Sequence, residues 1–146
     1  MNETKKDHVT INFFNPTSEG PEHWKSILIA HVPGLYTGKI LIRKIGHRGG
    51  LQYHRKKNEA QYLFSGELMV EYDAGDGKLS KKTVKAGESW HIPPGAVHRE
   101  TAISDCIIFE VSNPVFNDRV RVDKEYGLEP DSDPAPTTTP DQIIFK

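Results

Sequence analysis

Cysteine is almost absent from this chain of 146 residues: there is one, Cys106. No disulfide framework can form within the chain, which removes the small scaffolds held together by cystines. The thiol sits in "DCIIFEV" and reads as a buried core group. Long apolar runs are absent too, so no segment reads as a membrane-spanning helix. The opening "MNETKKDHVT" has no apolar centre of the kind a secretory leader carries. The expectation is a soluble, cytoplasmic protein without a membrane partner. An excess of one charge is also missing, with 19 Lys and Arg against 20 Asp and Glu and a net charge of −1. That balance argues against a nucleic-acid partner, which calls for a basic surface. Sustained helical periodicity is scarce. "PEHWKS" fits one turn near Pro21, and "NDRVRVDKEYG" (117–127) fits either strand or short helix.

What the chain does have is many short strand signals. Residues 25–32, 38–45, 51–54, 59–66, 67–74, 81–86, 88–93, 97–102 and 106–112 are each bounded by Gly, Pro, Asn or Asp. This spacing predicts an all-β sandwich or barrel. "AGDGK" (74–78) has the composition of a hairpin turn. The expected organisation is a flexible N-terminus (1–8), one barrel domain (9–127) and an extended Pro/Thr-rich tail (128–146). Four prolines fall within 128–142, so that stretch cannot build a core. The closing "IIFK" is apolar enough to dock on the barrel or on a neighbouring subunit; the alternative is a disordered end.

Residues two apart on a strand share a face. Gln52 therefore pairs with His54, Glu59 with Gln61, and His98 with Glu100. If three strands turn these faces inward, Gln52, His54, Glu59 and His98 converge inside the barrel. Such groups need a reason to be buried, and a metal ion supplies one.

The spacing is specific. Gly46 is followed after five residues by Gln52, after one by His54, after four by Glu59 and after six by Gly66. Gly87 is followed after five by Pro93, after one by Gly95 and after two by His98. These runs resemble the two signature motifs of the cupin superfamily, G-x5-H-x-H-x3,4-E-x6-G and G-x5-P-x-G-x2-H-x3-N. Gln52 stands where the first histidine is usual, and Ala102 where the asparagine is. The resemblance implies a small jelly-roll (double-stranded β-helix) barrel holding one divalent metal through Gln52, His54, Glu59 and His98. A carbonyl oxygen in place of an imidazole nitrogen favours Zn²⁺, with Mn²⁺ or Fe²⁺ as alternatives, over copper.

"GLQYHRKKNEAQYLFSGEL" is further similar to the cupin domain of bifunctional mannose-6-phosphate isomerase / mannose-1-phosphate guanylyltransferases. The matching positions are Gln52, His54, Glu59, His98, Arg99, Arg121, Tyr126 and Gly127. Ala60-Gln61 replaces that family's His-Trp pair, Leu128 replaces its closing arginine, and its nucleotidyltransferase domain has no counterpart here.

The resemblance implies a metal-dependent enzyme that isomerises a sugar or sugar phosphate. The alternatives are a dioxygenase or lyase acting on a small organic acid, and a non-catalytic binding protein. Glu100, on the His98 face, is the candidate base. Lys56, Arg99 and Gln61 are candidate substrate contacts, although alternation turns Arg99 away from His98 and also fits a packing role. A homodimer is expected, with "VTINFF" (9–14) able to add to a neighbour's sheet.

Overall fold

The computed structural model describes residues 8–129 and 135–146. Two antiparallel sheets face each other, and the expected all-β barrel is what forms. The strands are β1 (Thr17–Glu19), β2 (Trp24–Val32), β3 (Tyr36–Arg43), β4 (Gln52–Tyr53), β5 (Glu59–Ser65), β6 (Glu67–Asp73) and β7 (Leu79–Lys85). They continue as β8 (Ser89–Ile92), β9 (His98–Ala102), β10 (Cys106–Ser112), β11 (Val115–Phe116), β12 (Val120–Arg121) and β13 (Ile144–Phe145). One sheet runs β1-β2-β3-β10-β5-β8 and the other β12-β4-β9-β6-β7, while β11 and β13 form a separate ribbon.

The strand ranges follow the alternation of apolar and polar residues closely in the middle of the chain. "LQYH" yields a strand only at Gln52–Tyr53, with His54 just beyond it. The 117–127 segment is both things in succession: β12, then one 3-10 turn at Lys124–Tyr126. β1 was not anticipated. Residues 9–14 form no strand, and Val9, Ile11 and Phe13 lie exposed; among the described residues no strand pairs with them.

Turns follow local chemistry. In the hairpin joining β6 and β7, the Asp73 carboxylate accepts the Gly75 and Gly77 amides at 2.7 and 3.1 Å. Between β5 and β6, Gly66 has φ +94°, and a Cβ there would lie 2.2 Å from the Asp105 carbonyl oxygen. No other residue fits that corner.

The interior is divided along its length. Leu41, Leu63, Leu68, Val70, Val84, Ala102, Cys106 and Ile108 pack one end. Each fully buried aliphatic side chain there contributes about 1.5–3 kcal/mol. The same inward-facing rows then turn polar: Leu63 gives way to Gln61 and Glu59, Ile108 to Glu110, and Ala102 to Glu100 and His98. The apolar plug therefore lets one end hold a polar cavity without loosening the fold.

Residues 130–134 and 1–7, part of the expected tail and N-terminus, lie outside the described residues. Beyond them the tail is held against the barrel. Arg121 donates to the Ala135 carbonyl and Arg119 to that of Pro136, at 3.0 and 2.8 Å. β13 then pairs with β11.

Candidate metal centre

Three donor atoms, one each from His54, Glu59 and His98, lie within 4.8 Å of one another, and all three residues are buried. Glu59 Oε1 is 3.3 Å from His54 Nε2 and 3.9 Å from His98 Nε2. Donors about 2.1 Å from an ion at tetrahedral angles sit about 3.4 Å apart, so the spacing fits a metal with little movement. Gln52, the fourth donor that the motif leads one to expect, is the cross-strand partner of His98 and lines the same cavity.

The outer partners set the tautomers. His54 Nδ1 meets the Asp118 carbonyl, and His98 Nδ1 meets that of Ala96 at 2.9 Å. A backbone carbonyl only accepts, so each Nδ1 carries a proton, and Nε2 is the ring atom left to face Glu59 and a metal ion. Burial also pushes His98 below the ordinary imidazole range, which keeps it in the neutral, ligating form. The two motifs are tied directly, since the Gly95 amide donates to the His54 carbonyl at 2.8 Å.

Lys57 occupies the other side of Glu59. Its Nζ is 2.5 Å from Glu59 Oε2 and 3.2 Å from Glu110 Oε2. Burial alone would lower the Lys57 pKa, but the carboxylates of Glu110 and Glu59 outweigh it and hold the ammonium charged. Burial likewise works to raise Glu59, yet Lys57 and the hydrogen bond to His54 keep it well below the usual carboxylate range. One oxygen of Glu59 thus faces a lysine while the other faces the histidines.

The residue expected here was Lys56, and the structure corrects that. Asp118 accepts three consecutive amides, those of Arg55, Lys56 and Lys57, at 3.0, 2.7 and 2.9 Å. This tight turn leaves Lys56 exposed and sends Lys57 into the cavity wall. The Arg99 guanidinium is likewise spoken for. It forms a buried two-point pair with Glu71, at 2.9 and 3.1 Å, the pairing role that alternation allowed, although Arg99 is also among the residues lining the cavity. His47 lines the cavity as well.

Gln61 and Glu100 do line the cavity, which measures about 220 Å³ and also receives Lys39 and Arg43. Gln61 Nε2 donates to Glu110 at 3.0 Å, while its Oε1 is buried with no hydrogen-bond partner among the described residues. Burial lifts the Glu100 carboxyl to about 7; Arg43 opposes the lift, and Glu59 and Glu110 add to it. Glu110 was missed in the sequence, and within the basic run 55–57 it was Lys56 rather than Lys57 that was singled out. For Glu110 the signal was present: Cys106, Ile108 and Glu110 alternate onto one inward face. For Lys57 there was none, because the Asp118 cap comes from a segment some sixty positions away.

The chain folds as a jelly roll whose polar end carries a histidine–carboxylate cluster that could hold a metal ion. A family profile described as "Cupin domain" matches residues 41–112, which contain every proposed ligand. Germin-like protein subfamily 2 member 2 of Arabidopsis thaliana is 35% identical over 74 residues, covering 48% of this chain and 34% of that protein. The chain thus spans about a third of that curated relative. Among solved structures, oxalate decarboxylase from Bacillus subtilis matches 80% of this chain and 34% of its own, with 19% identity and a TM-score of 0.65. An RmlC-like cupin from Shewanella frigidimarina matches 70% and 90%, at 19% identity and 0.59. KdgF from Halomonas sp. matches 68% and 86%, at 16% and 0.57. At these identities the structural matches speak for the fold alone.

Proposed function

We propose that the protein is a metal-dependent isomerase of a small hydroxylated carbonyl compound, a sugar or sugar phosphate, that works by moving a proton between adjacent carbons. The observation that carries this reading is the placement of a half-buried carboxyl, Glu100, in the same cavity as the His54–Glu59–His98 cluster. A divalent ion held there with Gln52, Zn²⁺ first and Mn²⁺ or Fe²⁺ as alternatives, would polarise the substrate's carbonyl oxygen. Glu100 takes the proton from the carbon beside that carbonyl and returns it to its neighbour. A base that both accepts and returns a proton works best with a pKa near neutrality, the range to which burial brings Glu100. Gln61 Oε1, buried and unpartnered, accepts from a substrate hydroxyl and orients it. Lys39 and Arg43 on the cavity wall supply positive charge for a phosphate or carboxylate.

Two measurements test the reading in order. Metal analysis of protein purified without added metal should find one equivalent, lost in His98→Ala and retained in Gln52→His. Incubation with mannose 6-phosphate and fructose 6-phosphate in deuterium oxide should then label the carbon next to the carbonyl, and Glu100→Gln should abolish labelling. Metal-loaded protein that labels no sugar phosphate rules out the isomerase reading while leaving the metal site standing.

The cytoplasmic homodimer expected from the sequence belongs to the same proposal. Its support is the outer face of the larger sheet, where Tyr62, Phe64, Phe109 and Val111 are exposed and Phe109 stacks between Tyr62 and Phe64. A monomer by light scattering would overturn it.

A further inference from the structure

A second cavity, of about 250 Å³, lies behind the metal centre, walled by Val70, Tyr72, Val84, Trp90, Ile92 and His98. It falls between β7 and β8, the last strand of each sheet, which do not pair with one another. Where two sheets part at their edges the interior opens, and here it opens onto aliphatic and aromatic side chains.

One group in this wall is out of keeping with a simple packing gap. The Trp90 indole Nε1 is buried and has no hydrogen-bond partner among the described residues. Indole N–H is a donor only, and burial without an acceptor costs free energy. Trp90 is held inward by its strand, because it pairs with Gln61 across β5 and β8 on the face that also carries Ile92 and Glu59. The outward neighbour His91 has its own partner, the Asn58 side chain at 2.7 Å. An apolar cavity with one unpaired donor is the form of a small-molecule site.

We infer that this cavity binds a small, uncharged aromatic molecule whose carbonyl oxygen accepts the Trp90 N–H. The aliphatic wall of Val70, Val84 and Ile92 suits a ring. The charge around it selects against an anion: Asp73 and Glu88 line the cavity against a single lysine, Lys82, which already pairs with Glu88 at 3.6 Å. His98 lines both cavities, so an occupant lies against the back of a metal-ligand ring. The inference is independent of the isomerase reading, since it requires no reaction in the first cavity.

The test uses the full, metal-loaded chain and two probes of nearly equal shape, acetophenone and ethylbenzene, followed by nitrogen-15 and methyl NMR. The protein has two tryptophans, and Trp24, beside His47 and away from this cavity, is an internal control. Acetophenone should move the Trp90 indole N–H and the Val70, Val84 and Ile92 methyls in one saturable curve, leaving Trp24 unmoved. Ethylbenzene should bind about tenfold more weakly, the worth of one hydrogen bond. Trp90→Phe, which keeps a ring and removes the donor, should bring the two probes to equal affinity; the wild-type comparison stands even if that variant does not fold. No Trp90 shift with acetophenone at about 10 mM, a concentration at which a binding energy of only a few kcal/mol would show, overturns the inference. Equal affinity of wild type for the two probes overturns it as well.

Discussion

Replacing Lys57 with methionine should destabilise the metal-free protein far more than the metal-loaded one. In the structure the Lys57 ammonium touches two buried carboxylates, at 2.5 Å to Glu59 and 3.2 Å to Glu110. At an effective dielectric of about 20 these contacts represent about 7 and 5 kcal/mol of gross attraction. Much of that offsets the desolvation of three charged groups, and removing one member of such a buried set typically costs about 3–5 kcal/mol. In a domain of this size that lowers Tm by about 10 °C or more. With metal bound, Glu59 keeps a cation on its other oxygen, so about 2 kcal/mol of the loss should be recovered. By linkage the variant must then bind metal about 30-fold more tightly than wild type. Thermal melts with and without Zn²⁺, followed by chelator competition, measure both sides of this cycle. Equal losses in the two states, or an unchanged affinity, would refute the charge assignment at Glu59.

Three further outcomes are expected. Arg99→Met should cost about 3–5 kcal/mol in a denaturant melt by stranding Glu71, yet leave metal stoichiometry unchanged; a stable variant that loses substrate affinity would return Arg99 to the site. Gly66→Ala should lose at least about 2 kcal/mol, because a Cβ at that positive φ meets the Asp105 carbonyl; an unchanged melting point would contradict the corner geometry. Burial pushes the Cys106 thiol up, and its Sγ–H faces the carbonyls of Glu67 and Ser104. The reactive thiolate is therefore populated only above the ordinary thiol range. Native protein should react with Ellman's reagent at least about a hundredfold more slowly than unfolded protein at mildly alkaline pH, and fast native reaction would falsify the buried placement.

The strands of the middle of the chain, the two motifs and the four proposed ligands were legible in the chain itself. Each rests on local information: alternation sets which side chains share a face, and glycine and proline set where strands stop. The same alternation pointed correctly to Glu100 and Gln61 in the cavity, and it anticipated the outward turn of Arg99. It also contained Glu110, through the row Cys106, Ile108, Glu110, of which only Cys106 was read, as core. Alternation could not say whether Trp90 or His91 faced inward, because that depends on which face of β8 meets β5.

Other features came into being only when distant segments met. Lys57 rather than Lys56 enters the site because Asp118 gathers three amides of the turn from across the chain. The histidine tautomers are set by carbonyls of Asp118 and Ala96, and the second cavity exists because β7 and β8 end separate sheets. Residue type and spacing determined what this chain can hold and roughly where. Tertiary contact decided which lysine balances Glu59, which nitrogen each histidine offers, and which indole is left without a partner, because hydrogen-bond partners and buried charges are assigned by the packing of segments far apart in sequence.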